Sequence, residues 1–137
     1  MQLDDLNALL ARAEFHKTLK VQAEACDAAT GCVTLHLPFD SAYTLFAEMG
    51  NYHGGVVAAL ADVAGTMACT VKAGRPTPTL DLRIDYLKTA CKVDLIAEAR
   101  ARKVGRSVGI ADVTVTDANG TVFALARGTF STADTGG

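Results

Sequence analysis

The sequence predicts one α+β domain, a curved antiparallel sheet wrapped around a single long, buried helix. Three observations carry this. Half of the 137 residues are hydrophobic, enough for one continuous core. The stretch 56–71 is Ala-rich and apolar nearly all round, which favours a helix enclosed by protein. Four β-like segments then follow in quick succession with no second helix between them, the pattern of an antiparallel sheet rather than of alternating βαβ units.

Taken in order, residues 1–15, MQLDDLNALLARAEF, read as an amphipathic helix; two early acids and the lack of a long apolar run set it apart from a secretion signal. Residues 18–25 and 32–37 are β-rich and flank a turn signal at 27–31, which predicts an opening hairpin. A loop with a helical turn around 41–48 leads through Asn51, His53, Gly54 and Gly55 into the long helix, expected to end before Gly74. Strands are expected at 79–88, 94–103, 107–116 and 122–131. In the first of these Leu80, Leu82, Ile84 and Tyr86 alternate with Asp81, Arg83 and Asp85, the period of a strand with one buried face. The tetrapeptide DANG at 117–120 predicts a tight hairpin turn. No repeat or linker divides the chain, so residues 1–137 are expected to form one domain, with 132–137 as a flexible tail.

Thirteen Lys and Arg against fifteen Asp and Glu leave a net charge of -2, which provides no broad attraction for nucleic acid or an anionic membrane. The apolar stretch is short for a bilayer span and carries Asp62 near its middle, so no membrane segment is expected. Cys26, Cys32, Cys69 and Cys91 lack CxxC spacing and disulfide-scaffold density, which suits reduced thiols in a cytoplasmic protein. His16, His36 and His53 stand singly, and no metal site is expected.

Within the helix, Asp62, Thr66 and Thr70 are spaced i, i+4, i+8 and share one narrow face. Burying an ionised carboxylate without partners costs several kcal/mol, so Asp62 either pairs with a base such as Arg83 or faces a solvated cleft, where it would suit catalysis. The two threonines either face that cleft or bond back to the carbonyl one turn earlier. Upstream, Gly54 and Gly55 stand where a helix begins and backbone amides lack partners. A carbonyl oxygen set against the Gly54 amide would be polarised towards its oxyanion; the alternative is a turn that needs glycine.

The run HGGVVAALAD at 53–62, with its carboxylate nine residues after the histidine, closely resembles the PaaI-like acyl-CoA thioesterases of the hotdog superfamily. The likeness continues through TLDLRIDYLKTA at 79–90, VGRS at 104–107 and DANGTVFALARGTF at 117–130, in matching order and spacing. The resemblance implies a hotdog fold and an acyl-CoA thioester hydrolase. Its catalytic set would be Asp62 as nucleophile or general base, the Gly54 amide as oxyanion-hole donor, and Thr66, whose hydroxyl, or that of Thr79 at the start of the following strand, orients water or the carboxylate. Around the substrate it places His53, Gly55, Asn51, Thr79, Arg106 and Ser107, with His53 supporting the loop. No cofactor is implied, since coenzyme A is part of the substrate; Arg102, Lys103 and Arg106 form a basic cluster for its phosphates. The site is implied to lie between two subunits of a homodimer or dimer-of-dimers tetramer.

One position departs from the family pattern. Relatives carry Asn or Gln six residues before the motif histidine, where this chain has Ala47, and Asn51 is the nearby amide that would substitute. This keeps a non-catalytic acyl-CoA-binding or sensing protein as the alternative reading, against which stand Asp62 and the glycine pair. A hydratase on the same fold pairs its Asp with a histidine downstream, and no histidine follows Asp62. Aryl, short and medium aliphatic acyl groups all remain open.

Overall fold

A computed structural model describes residues 1–134. Along the chain run α1 (Leu3–Leu10), α2 (Glu14–Leu19), β1 (Gln22–Asp27), β2 (Cys32–Leu37), a short 3₁₀ turn (Ser41–Tyr43), α3 (Gly54–Ala73), β3 (Thr79–Tyr86), β4 (Leu95–Val104), β5 (Val108–Thr116) and β6 (Val122–Ser131). The amino-terminal region is thus two helices rather than one of fifteen residues. The first opens on a capping box, in which the Gln2 amide donates to Asp5 Oδ2 at 2.9 Å, and it puts Leu6 and Leu10 into the core. The second includes Thr18 and Leu19, which β propensity assigns to the first strand; burial of Leu19 outweighs that local preference.

The strands form one antiparallel sheet in the order β1-β2-β4-β5-β6-β3. Its curved inner face lies on α3, where Leu60, Ala61, Ala64 and Ala68 are buried with Leu35, Ala97, Val115 and Phe130. This is the predicted hotdog arrangement. Both predicted turns are held by aspartates: Asp27 Oδ1 accepts from the Ala29 amide at 3.0 Å, and Asp117 Oδ1 from the Asn119 and Thr121 amides, each at 3.0 Å.

The helix α3 has 20 residues, more than the apolar stretch suggests, and by length and hydropathy alone it would span a bilayer. Most of it is instead buried by the sheet. It stops at Gly74, whose φ of +72° supplies the left-handed turn that ends a helix. At the centre of the fold the Cys69 thiol is pushed up to about 11 by burial.

Two expectations are modified by the structure. The strand β3 takes the edge of the sheet and pairs only with β6, so its alternating face is half covered: Leu82 and Ile84 pack on the core, whereas Leu80 and Tyr86 are 60% and 53% exposed. Thr132, assigned to the tail by composition, is fully buried; its amide donates to Ser107 O at 3.0 Å and its hydroxyl to Gly105 O at 2.6 Å. Positions 135–137 of the expected tail lie outside the described residues.

Candidate active site

The first turn of α3 is built by His53. As N-cap, its Nδ1 accepts from the Gly55 amide at 2.8 Å, which leaves Nε2 as the protonated nitrogen of the neutral ring. The Val56 amide bonds the His53 carbonyl at 3.0 Å. Gly54 therefore carries the one amide of this turn that has no acceptor among the described residues. The Gly55 amide is already taken by the cap, and its lack of a side chain is a packing need, since a Cβ there would lie 2.9 Å from His53 Nδ1.

Beside Gly54 lies a cavity of about 400 Å³, lined among others by Leu45, Asn51, Gly54, Val57 and Tyr86. The Asn51 side-chain amide makes no hydrogen bond among the described residues, whereas the backbone carbonyl of Asn51 accepts from the Leu45 backbone amide at 2.9 Å. Ala47 sits exposed in the preceding loop. Tyr86 donates its hydroxyl to the Gly54 carbonyl at 2.7 Å, a contact that the sequence reading, which took Tyr86 only as part of a strand face, does not name. The signal for it was its place at the far end of the strand that begins with Thr79.

Asp62 is half-buried, two turns further along the helix. Thr79 donates its hydroxyl to Asp62 Oδ1 at 2.6 Å. Arg83, the basic partner considered from the sequence, pairs instead with Asp85 at 3.5 Å, and among the described residues no lysine or arginine pairs with Asp62. The Thr66 hydroxyl donates to the Asp62 carbonyl at 2.8 Å and lies 3.3 Å from Thr79 Oγ1. Each hydroxyl has one proton, so the shorter contacts take both protons, and Thr79 rather than Thr66 is the direct partner of the carboxylate. Thr70, the third member of the stripe, bonds Thr77 at 2.9 Å.

Eight residues of helix separate Gly54 from Asp62, a rise of roughly 12 Å. One carbonyl carbon cannot lie within about 3 Å of both groups of the same chain. Within one chain the acid and the free amide are therefore separate half-sites.

The β4–β5 turn carries Arg106 and Ser107, both exposed, at the opposite end of α3 from Gly54. The expected basic cluster is split there. A bulge between Ala101 and Lys103 shifts the register of β4, and Arg102 donates to Asp112 Oδ2 at 2.9 Å while Arg127 holds Oδ1 at 2.6 Å. The Arg127 guanidinium, with Arg102 adding to it, holds the Asp112 carboxyl below its usual range. The basic residue that does join the turn is Arg75, unnamed in the sequence reading. Its Nε and a terminal nitrogen donate to Thr132 O at 2.8 and 2.6 Å, and the Thr132 amide holds Ser107. Among the described residues, no three His, Cys, Asp or Glu side chains gather as a metal site.

Comparison with known proteins places this geometry among relatives. The sequence model of the thioesterase superfamily matches residues 49–124, the span from the loop before α3 into β6. A Halobacterium salinarum protein named as a candidate esterase is 37% identical, over 76% of each chain. The crystal structure of zebrafish thioesterase superfamily member 2 superposes with a TM-score of 0.85 at 28% identity, covering 97% of this chain and 99% of that one. A mutant structure of the phenylacetic acid degradation protein PaaI from Thermus thermophilus shares the fold, with a TM-score of 0.76 at 23% identity over 87% of this chain and 98% of that one.

Proposed function

Because the chain belongs to the thioesterase superfamily, we propose that it hydrolyses the thioester of an acyl- or aryl-CoA to the free acid and coenzyme A. The observation that carries this reading is Asp62: a half-buried carboxylate with no cationic partner among the described residues, held in one orientation by Thr79. A carboxylate kept for structure alone is normally neutralised by a base. This one keeps an oxygen free to take a proton from water or to attack a carbonyl.

In the proposed reaction Asp62 activates water, the water oxygen adds to the thioester carbonyl, and the developing oxyanion is received by the Gly54 amide. The C–S bond then breaks, and the coenzyme A sulfur takes the proton that Asp62 had accepted. The alternative, direct attack by Asp62, passes through an anhydride that water hydrolyses. Asn51 is the candidate for the amide missing at Ala47, supported by its place in the cavity beside Gly54. Arg106 and Ser107, with Lys103, are the candidates for the coenzyme's phosphates.

The spacing of Asp62 and Gly54 makes association part of the proposal. A two-fold dimer sets the acid of one protomer against the free amide of its partner. The open edge of β3 and its uncovered Leu80 and Tyr86 support such an interface, because an unpaired strand edge with exposed apolar side chains gains from a second copy. Pairing of two dimers into a tetramer, and a reducing cytoplasmic setting suited to the four free cysteines, complete the reading.

The test is release of free thiol from a panel of acyl-CoAs by the native protein and by Asp62→Asn. Turnover that the substitution removes is the expected result. Saturable acyl-CoA binding with no hydrolysis by the native protein would favour a binding or sensing role, the reading that Ala47 keeps in play.

A further inference from the structure

We propose that the cavity between α1 and the C-terminal half of α3 receives the acyl tail, and that its occupant is an unbranched aliphatic chain rather than an aromatic ring. This rests on the hydrolase reading above and names its substrate class. The cavity has a volume of about 510 Å³, within the usual range for small-molecule sites, and its wall includes Met1, Leu9, Thr66, Met67, Pro76 and Pro78. Thr66, part of its lining, lies 3.3 Å from the Thr79 hydroxyl that holds Asp62, so a chain in the cavity can keep its carbonyl end beside the acid.

The hydroxyl protons in this wall are already committed. Thr66 donates to the Asp62 carbonyl, Thr70 and Thr77 bond each other at 2.9 Å, and the Thr77 hydroxyl also reaches Thr66 O at 3.1 Å. With their protons so committed the threonines offer a ligand no donor, and the surface lining the cavity is mostly apolar in spite of its composition.

The opposite wall is well anchored and presents Met1 and Leu9 beside Arg12. Helix α1 puts Leu6 and Leu10 into the core, and Asn7 clamps it to β1 through Ala23, donating to its carbonyl at 3.0 Å and accepting from its amide at 2.8 Å. Leu9 and Met1 are then left to the cavity. From Thr66 to Gly74 the helix rises roughly 12 Å, so the lining follows α3 over about two turns. Its lining holds two methionines and a leucine and no aromatic side chain against which a ring would stack. Arg12 and Arg75 complete the lining; Arg75 is held by the Thr132 carbonyl.

The experiment has two arms on the full-length protein. In the first, binding of non-hydrolysable S-butyl-, S-hexyl- and S-octyl-CoA is measured by calorimetry; affinity is expected to rise by roughly fourfold per methylene. In the second, kcat/KM is measured for butyryl-, hexanoyl-, octanoyl- and benzoyl-CoA, with octanoyl-CoA expected to exceed benzoyl-CoA. Leu9→Trp, which fills the cavity, is expected to lower the octanoyl-to-butyryl ratio at least tenfold, and Leu9→Ala, which cannot overpack, to move the optimum to longer chains. Chain-dependent binding without hydrolysis of any ester would remove the hydrolase reading and leave the tail pocket standing. Hydrolysis that prefers benzoyl-CoA or ω-carboxylated chains, or a length profile unmoved by both Leu9 substitutions, would overturn the pocket and leave the hydrolase.

Discussion

Thr79 donates its hydroxyl proton to Oδ1 of Asp62 at 2.6 Å, joining the first residue of the edge strand to the one carboxylate of the central helix. The same strand ends on Tyr86, which holds the Gly54 carbonyl at 2.7 Å. The strand β3 thus braces the helix at both half-sites, and its free edge faces outward between them.

From this bracing, Asp62→Asn is expected to lower kcat by about 10²–10⁴ with an unchanged melting temperature, since general acid–base catalysis contributes about that much. Thr79→Ala removes a hydrogen bond to a charged group and should lower kcat by roughly ten- to a hundredfold, whereas Thr79→Ser should recover most of it. Thr66→Ala should change kcat less than Thr79→Ala. Steady-state rates on one acyl-CoA rank the three, and a larger loss for Thr66→Ala would make Thr66 the direct partner.

Gly54→Pro tests the free amide. Proline at the first helical position suits the backbone, the preceding His53 has the extended ψ of 131° that proline demands, and a Cβ at residue 54 would meet Tyr86 only at an ordinary 3.5 Å. The variant should fold with native stability and lose about 10²–10³ in kcat, the usual effect of removing one oxyanion donor. Mixed with Asp62→Asn and re-annealed, it should regain up to about a quarter of the native rate, because half of the random dimers rebuild one of two shared sites. Absence of recovery would place acid and amide in one protomer.

Leu80→Asp puts a charge on the uncovered face of β3 without touching the core. Sedimentation should show a shift towards monomer, and the specific activity of both native and variant protein should fall on dilution as dimers dissociate. Activity that is independent of concentration in a proven monomer would dismiss the shared site.

Acid stability is expected to depend on Asp94. The Phe39 amide at 2.7 Å, and then His36 at 2.9 Å, hold its carboxyl below the usual range. A carboxyl lowered in the folded state contributes stability that is present above its unfolded value, near about pH 4, and is lost as the pH falls through the lower folded value. Urea midpoints measured from neutral pH down to about pH 3 should therefore decline less steeply for Asp94→Asn than for the native protein. Parallel curves would assign the acid sensitivity elsewhere, for instance to Asp112.

How much of this was legible in the residues can be followed position by position. Hydrophobic period, turn chemistry and helix length are local properties, so the sequence by itself determined the helix–sheet order, the hairpins at Asp27 and Asp117, the stop at Gly74 and the carboxylate on an apolar helix. It misplaced Thr18 and Leu19 because burial overrides propensity at element ends. The family resemblance left Thr66 and Thr79 as alternative partners of the carboxylate, with Arg83 as the basic one, and only the tertiary structure decided which of them Asp62 touches. Thr79 lies seventeen residues away and reaches it because β3 crosses to the sheet edge, while Arg83 on the same strand turns to Asp85. The same crossing set Tyr86 on Gly54 and left Leu80 uncovered, while the register of β4 on β5 set Arg102 on Asp112, away from Arg106. Each is a contact between distant segments, fixed by strand order and register, and a local pattern holds no record of either.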